Sequence, residues 1–437
     1  MKLQVPYETT EKVGQYLEID VDEKNLLKEF VITEPKPVND VANVLLNYLE
    51  NPIECESLSK KLTNNIKKVC IITENQFRQA PIKEIISLLL KKYFQPRNIE
   101  TNIIIGCGKV PPLTKDEVED KLGKDALTFA SDIVSNDVTK PENYIFKGIT
   151  THGTPLWIHK KVVESDLILS ISTTQATLWG YGGSGMIIPA VSGNETIEIN
   201  HIMSLAPDCK PGNNQCHMQQ DKYEAAEIAG IFMGINIITN NKGEIIYINA
   251  GDFVKSHKIA VSEYNKIYKF NAKEFKGKAD IVIVGSTGPT DHLFFHTGWV
   301  IVNVAPLVKD GGTVIFATPS PGYKSWPGFA LMDLMKEFMP PNEENHQKVL
   351  RSFFTKEREL WAGCIWYPIY REMINKNYWI VTDKKNIEMA QDIGFTVFDD
   401  LQKAYYKALN NYGVDSKVVV VPFGRYTIFD TEKKYDT

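Results

Sequence analysis

The sequence predicts an α/β protein, two three-layer α/β domains with mainly parallel sheets and an interdomain cleft. Three observations predict it. At 437 residues the chain is longer than one hydrophobic core comfortably serves. Short β-branched runs alternate with helical patterns along both halves, as strands joined by crossover helices do. Several of those runs are apolar throughout, which suits strands covered on both faces.

The elements follow in order. Residues 69–73 form a buried strand, and residues 81–93 form a helix whose apolar positions recur at three- and four-residue steps. Residues 101–106 are the next strand, ending in a Gly-Cys-Gly turn. Thr114 and Glu117 make a capping box that opens a helix, and Gly123 stops it. Residues 166–172 are a third buried strand, feeding a glycine-rich loop. After the amphipathic segment 252–268, the second half offers strands at 279–285, 312–317, 378–382 and 417–422. The lysine-rich stretch 266–278 marks the boundary, giving an N-terminal domain over 1–268 and a C-terminal domain over 269–416. Residues 340–345 form a surface turn inside the second domain.

Composition narrows the function. With 43% hydrophobic and 24% charged residues and a net charge of -5, the chain is an ordinary globular protein without the basic stripe of a nucleic-acid binder. No apolar stretch approaches the ~20 residues that span a bilayer, so no membrane partner is expected. The polar N-terminus lacks a signal-peptide pattern. Six cysteines without a CxxC pair fit reduced thiols, and a cytoplasmic location is expected. Cys209, Cys216 and His217 could be grouped as a metal cluster, but the seven-residue cysteine step matches no standard zinc spacing.

In parallel sheets, ligands collect beyond the carboxyl ends of the strands. After the first strand, Asn75 and Arg78 precede Pro81. A helix opening there presents free N-H groups, and the Arg78 guanidinium suits a carboxylate or phosphate unless it pairs with Glu74. After the third strand, glycines 180, 182, 183 and 185 let backbone approach a ligand closely and can form an anion nest. The spacing is neither a Walker loop nor a dinucleotide fingerprint.

From Ser172 to His201 the chain resembles the lactate racemase family, the nickel-pincer-nucleotide-dependent racemases and epimerases of 2-hydroxyacids. The resemblance rests on Gly180-Tyr181, Gly182-Gly183, Ser184-Gly185, Pro189-Ala190, Thr196-Ile197 and Asn200-His201. Arg78 with Pro81 resembles the family's Asp-x-x-Arg-Pro-x-Pro loop, with Asn75 in the aspartate's place. Residues 148–155 and 163–168, Gly288-Pro-Thr-Asp-His-Leu and Trp361 continue it, in order, over nearly the whole chain. The resemblance implies a nickel-pincer nucleotide as cofactor, with His201 as the metal ligand. It places Asn75, Arg78, Gly182, Gly183, Ser184 and Trp361 around the nucleotide. It also implies that the C-terminal strand, 417–437, folds back onto the first domain.

The sequence departs from the family where its chemistry is done. The two acid/base histidines are replaced by Val110 and Ala176, and the cofactor-tethering lysine by Gly185. A second-domain lysine and glutamine appear as Trp299 and His296. One reading keeps the nickel nucleotide untethered, with His292 and His296 sharing a helix face as proton shuttles and Asp291 orienting one ring. His152 and His159 are weaker substitutes. Trp299, Val110 and Leu178 then suit a hydroxyacid-like substrate other than lactate, and the cleft closes during turnover. A second reading is a binding or regulatory protein that kept the fold. A third is unrelated chemistry at a zinc site built from His201, His217 and Cys216. The partner is a small molecule, and a homodimer is compatible with all three.

Overall fold

The computed structural model describes residues 1–8, 14–78, 80–287, 298–319 and 328–432, with the backbone alone for 328–332, 361 and 362. The chain is mixed α/β and divides into two compact units, one of Glu34–Lys266 and one of Met1–Thr33 with Ile267–Thr437. Each holds a six-stranded sheet. Numbered along the chain, the strands are β1 (Leu26–Glu29), β2 (Lys68–Glu74), β3 (Glu100–Gly106), β4 (Asp132–Ser135), β5 (Leu167–Thr173) and β6 (Met233–Thr239). They continue with β7 (Ile245–Gly251), β8 (Ala279–Gly285), β9 (Val308–Ala317), β10 (Asn377–Val381), β11 (Thr396–Phe398) and β12 (Val418–Val421).

In the Glu34–Lys266 unit the order is β7-β6-β5-β2-β3-β4, parallel except for the antiparallel edge strand β7. β5 is buried at every position and β2 at all but its first, which explains their mainly apolar character. One face packs Cys70, Ile72 and Ile104 against Leu156, Ile187, Tyr223 and Phe253. The helices used below are α1 (Lys83–Leu89), α2 (Lys115–Leu122), α3 (Asn194–Ile202), α4 (His217–Ala229) and α5 (Phe253–Tyr268). The expected capping box opens α2: Thr114 accepts from the Glu117 backbone while the Glu117 carboxylate accepts from the Thr114 N-H. The helix after β2 runs in α form only over α1 and widens to a π-helical turn at Leu90–Phe94.

The other unit has the order β11-β10-β9-β8-β12-β1, parallel throughout. Ile281, Ile283, Ile315, Trp379, Val418 and Val420 share a core with Leu3, Val5, Ile19 and Tyr405. This changes the domain division read from the sequence. The first 33 residues belong with the second half, and the C-terminal strand β12 lies between β8 and β1 and not in the first sheet. The reason is physical: four consecutive buried valines need a partner on each edge, and the short, half-exposed β1 supplies the outer one.

Candidate functional site

The loop after β2 is built on a buried ion cluster. Glu74, the last residue of β2, accepts hydrogen bonds from the Thr173 N-H (2.8 Å) and hydroxyl (3.0 Å) at the end of β5. Lys121 Nζ from α2 lies 3.3 Å from the Glu74 carboxylate and donates to the Arg78 carbonyl at 2.8 Å. Burial pushes the pKa values of Lys121 and Arg78 down, and the Glu74 charge opposes both shifts. Asn75 turns the chain: its Oδ1 accepts from the Phe77 N-H (3.1 Å) and its carbonyl from the Arg78 N-H (3.2 Å). Asn75 and Arg78 thus stand at the carboxyl end of a central strand, beside the loop that follows β5.

That second loop opens as a small hairpin, Ala176–Thr177 against Gly180–Tyr181. Gly182 donates its N-H to the Gln175 carbonyl at 2.8 Å, so this N-H is not available to an anion nest. The Ser184 hydroxyl donates to the Tyr181 carbonyl (3.2 Å), and Ser172 donates to the Gly183 carbonyl (3.4 Å). A side chain absent from the sequence reading pins the loop from α5. His257 is fully buried, and its Nε2 contacts the Gly182 carbonyl at 2.7 Å and its Nδ1 the Tyr223 hydroxyl at 2.8 Å. A carbonyl only accepts, so Nε2 carries the proton and Nδ1 accepts from Tyr223. The close approach requires glycine at 183, where φ is +98° and a Cβ would sit 2.8 Å from the His257 ring.

His201 lies in the last turn of α3, 1% exposed. Its Nδ1 is 2.8 Å from the Ile197 carbonyl one turn back, so Nδ1 holds the hydrogen and the lone pair is on Nε2. Burial, with the Lys222 charge second, pushes its pKa down to about 3, which keeps the ring neutral through the physiological range. Trp179 from the glycine-rich loop stands edge-on to it at 5.6 Å, and Lys222 Nζ lies 5.9 Å from the indole centre. Asn200 ties α3 to α4 through Asp221 at 2.6 Å. Among the described residues Thr174 Oγ1, Asn200 Oδ1 and Ser204 Oγ, after β5 and at the end of α3, are buried with no hydrogen-bond partner.

The structure therefore gathers Asn75, Arg78, Gly182, Gly183, Ser184 and His201 in one unit. Val110 and Ala176 are buried there and can transfer no proton. A Cβ at Gly185 would meet the Ile188 carbonyl at 3.0 Å. Trp299 belongs to the other unit, where the Arg425 guanidinium lies 4.0 Å over its ring. Arg425 was not singled out in the sequence, although Phe423-Gly-Arg directly follows a strand end. Trp361 is in the helix Leu360–Met373, with its side chain outside the described residues. Asp291, His292 and His296 also lie outside them. His159 is a helix cap and not a shuttle: its Nδ1 accepts from the Lys161 N-H, and burial lowers its pKa to about 4. His152 packs edge-on against His217 at 5.3 Å.

The zinc arrangement does not form. His217 is exposed and turned to His152, and among the described residues no three His, Cys, Asp or Glu side chains are grouped to hold a metal. No helix among them is long and apolar enough to cross a membrane.

The chain resembles known proteins over most of its length. The lactate racemase N-terminal domain model matches residues 14–211, which include Arg78, the glycine-rich loop and His201. The chain is 28% identical over 392 residues to the lactate racemase of Thermoanaerobacterium thermosaccharolyticum, covering 87% of this chain and 89% of that one. The apoprotein structure of lactate racemase from that organism superposes with a TM-score of 0.84 at 24% identity, covering 98% of this chain and all of the other. A Thermotoga maritima protein superposes at 0.66 and 14% identity, over 92% of this chain and all of its own.

Proposed function

We propose that this chain, which belongs to the lactate racemase family, is a racemase or epimerase acting on a hydroxyacid-like substrate other than lactate, with a nickel-pincer nucleotide seated at His201. The observation that carries the reading is the fixed tautomer of a buried imidazole. With Nδ1-H held by the Ile197 carbonyl, Nε2 offers a lone pair at any working pH, which is what a metal-ligating histidine with an oriented second nitrogen provides. The buried polar atoms of Thr174, Asn200 and Ser204, without partners among the described residues, fit a polar ligand in the same unit. When bound, the nucleotide supplies hydride acceptance and return at the carbon bearing the substrate hydroxyl.

The chain's own residues do the rest. Arg78, held by the Glu74 charge and the Asn75 turn, binds an anionic group of nucleotide or substrate. Gly182, Gly183 and Ser184, braced by His257, form a firm backbone wall beside the ligand. With glycine at 185 the nucleotide is held without a covalent link there. The substrate hydroxyl must lose its proton as the hydride leaves. His292 and His296 are assigned that proton because a neutral imidazole near pH 7 can carry it.

The test is mass spectrometry of protein made in a host that synthesises the nickel nucleotide. A small-molecule mass present in the native spectrum and absent from the denatured one supports the reading, and no bound mass with no nickel overturns it. A non-catalytic binding role is the second reading, favoured by buried, proton-inert Val110 and Ala176. Loaded protein that exchanges no substrate hydrogen with any of a panel of 2-hydroxyacids would select it.

A further inference from the structure

Cys209 and Cys216 take no part in the proposed chemistry, yet they are placed as a pair. Their Sγ atoms lie 3.9 Å apart and both side chains are buried, with Met218 Sδ 3.7 Å from Cys209 Sγ. A disulfide bond is about 2.05 Å long, so the sulfurs must close by roughly 1.9 Å. The segment that joins them is a run of tight turns at one end of α4. Cys216 is the N-cap of that 13-residue helix, where unpaired N-H groups favour a thiolate. The neighbouring Cys209 thiol and the Gln219 N-H hold the Cys216 pKa below the usual thiol value, while the Cys209 pKa is pushed up.

We propose that Cys209 and Cys216 form a reversible intramolecular disulfide, a modification site driven by hydrogen peroxide. The Cys216 thiolate attacks one peroxide oxygen. The O-O bond breaks, the sulfur is oxidised to a sulfenic acid, and the leaving hydroxide takes a proton to become water. Cys209 then attacks the sulfenic sulfur, forming the S-S bond and releasing a second water. Two thiols have lost two hydrogens and one peroxide has become two waters. The disulfide stands independently of the catalytic reading.

The pair is also wired to the glycine-rich loop. Gly212 donates its N-H to the Gly180 carbonyl at 3.4 Å, and the fit is so close that a Cβ at Gly180 would come within 2.7 Å of the Asn213 carbonyl. Gln219 accepts from the Tyr181 N-H at 3.3 Å. Trp179, edge-on to His201, packs against the same three sulfurs. Drawing Cys209 towards Cys216 therefore moves the backbone that supports Trp179 and Gly180.

The test begins with fully reduced, metal-free-buffer protein and hydrogen peroxide, followed by thiol counting in denaturant. The count is expected to fall from six to four, with the mass of two hydrogens lost, the bond mapped to Cys209 and Cys216, and full reversal by dithiothreitol. In Cys209→Ser, Cys216 should instead be trapped as a dimedone adduct. In Cys216→Ser, peroxide consumption should slow by at least about tenfold. Hydrogen exchange over residues 176–185 should change on oxidation of the unsubstituted protein. Retention of six thiols, a bond mapped elsewhere, or zinc or copper held by these sulfurs would overturn the proposal, and unchanged exchange would overturn its link to the loop. Mapping on the unsubstituted chain decides the point even if a variant fails to fold.

Discussion

Replacing His257 by phenylalanine tests whether this histidine fastens the glycine-rich loop. A planar aromatic ring is kept, but the Gly182 carbonyl and the Tyr223 hydroxyl lose the partners they have at 2.7 and 2.8 Å. Each buried group left unsatisfied costs ~1–3 kcal/mol, which gives a loss of about 2–6 kcal/mol at pH 8 for the two. The pH dependence adds a sharper signature. Burial lowers the His257 pKa from 6.5 to about 4, so between these values the unfolded chain binds a proton that the folded chain refuses. Stability therefore falls as the solution is acidified through that window. The slope is ~1.4 kcal/mol per pH unit for this one histidine, or about 3 kcal/mol across the window. His257→Phe removes the term, so its deficit relative to the parent should shrink towards pH 4. The assay is urea unfolding of the apoprotein at pH 8, 6 and 4. A deficit below about 0.5 kcal/mol at pH 8, smaller than one net hydrogen bond, or one that does not change with pH, would refute the reasoning.

Further outcomes follow from the same geometry. Gly183→Ala places a Cβ 2.8 Å from the His257 ring at a φ of +98°, and should lower stability by about 2–4 kcal/mol in thermal or urea unfolding. Lys121→Met leaves the Glu74 charge buried without its 3.3 Å partner and should cost roughly 3–5 kcal/mol, partly recovered by adding Glu74→Gln. Arg425→Met removes the cation lying 4.0 Å over Trp299, with an expected loss of about 1–2 kcal/mol and altered indole fluorescence.

Much of this architecture is legible in the chain. Runs such as those of β2, β5, β8 and β12 are apolar because both faces are covered, and the Thr114–Glu117 box names its helix start from four residues. β1, β4 and β11 were not read as strands, because short edge strands with exposed positions look like loops when their neighbours are far away in sequence. The same cause misassigned residues 1–33: β1 pairs with β12, nearly 400 positions away, and no local pattern carries that. The site was read unevenly. His201 emerged from the resemblance and Arg78 from its place after a strand. His257 was missed because a lone histidine in an amphipathic helix reads as part of its polar face, and only the folded chain brings it to Gly182. The internal use of the Gly182 N-H was equally hidden, since a glycine pattern does not say which amides a loop satisfies itself.

The account stands most directly on nickel coordination at His201. X-ray absorption at the nickel edge, on protein loaded with the nickel nucleotide, should show one imidazole among the metal's ligands, and His201→Ala should abolish that component and release the nickel. An imidazole signal unchanged in His201→Ala, or nickel retained there at full occupancy, would contradict it.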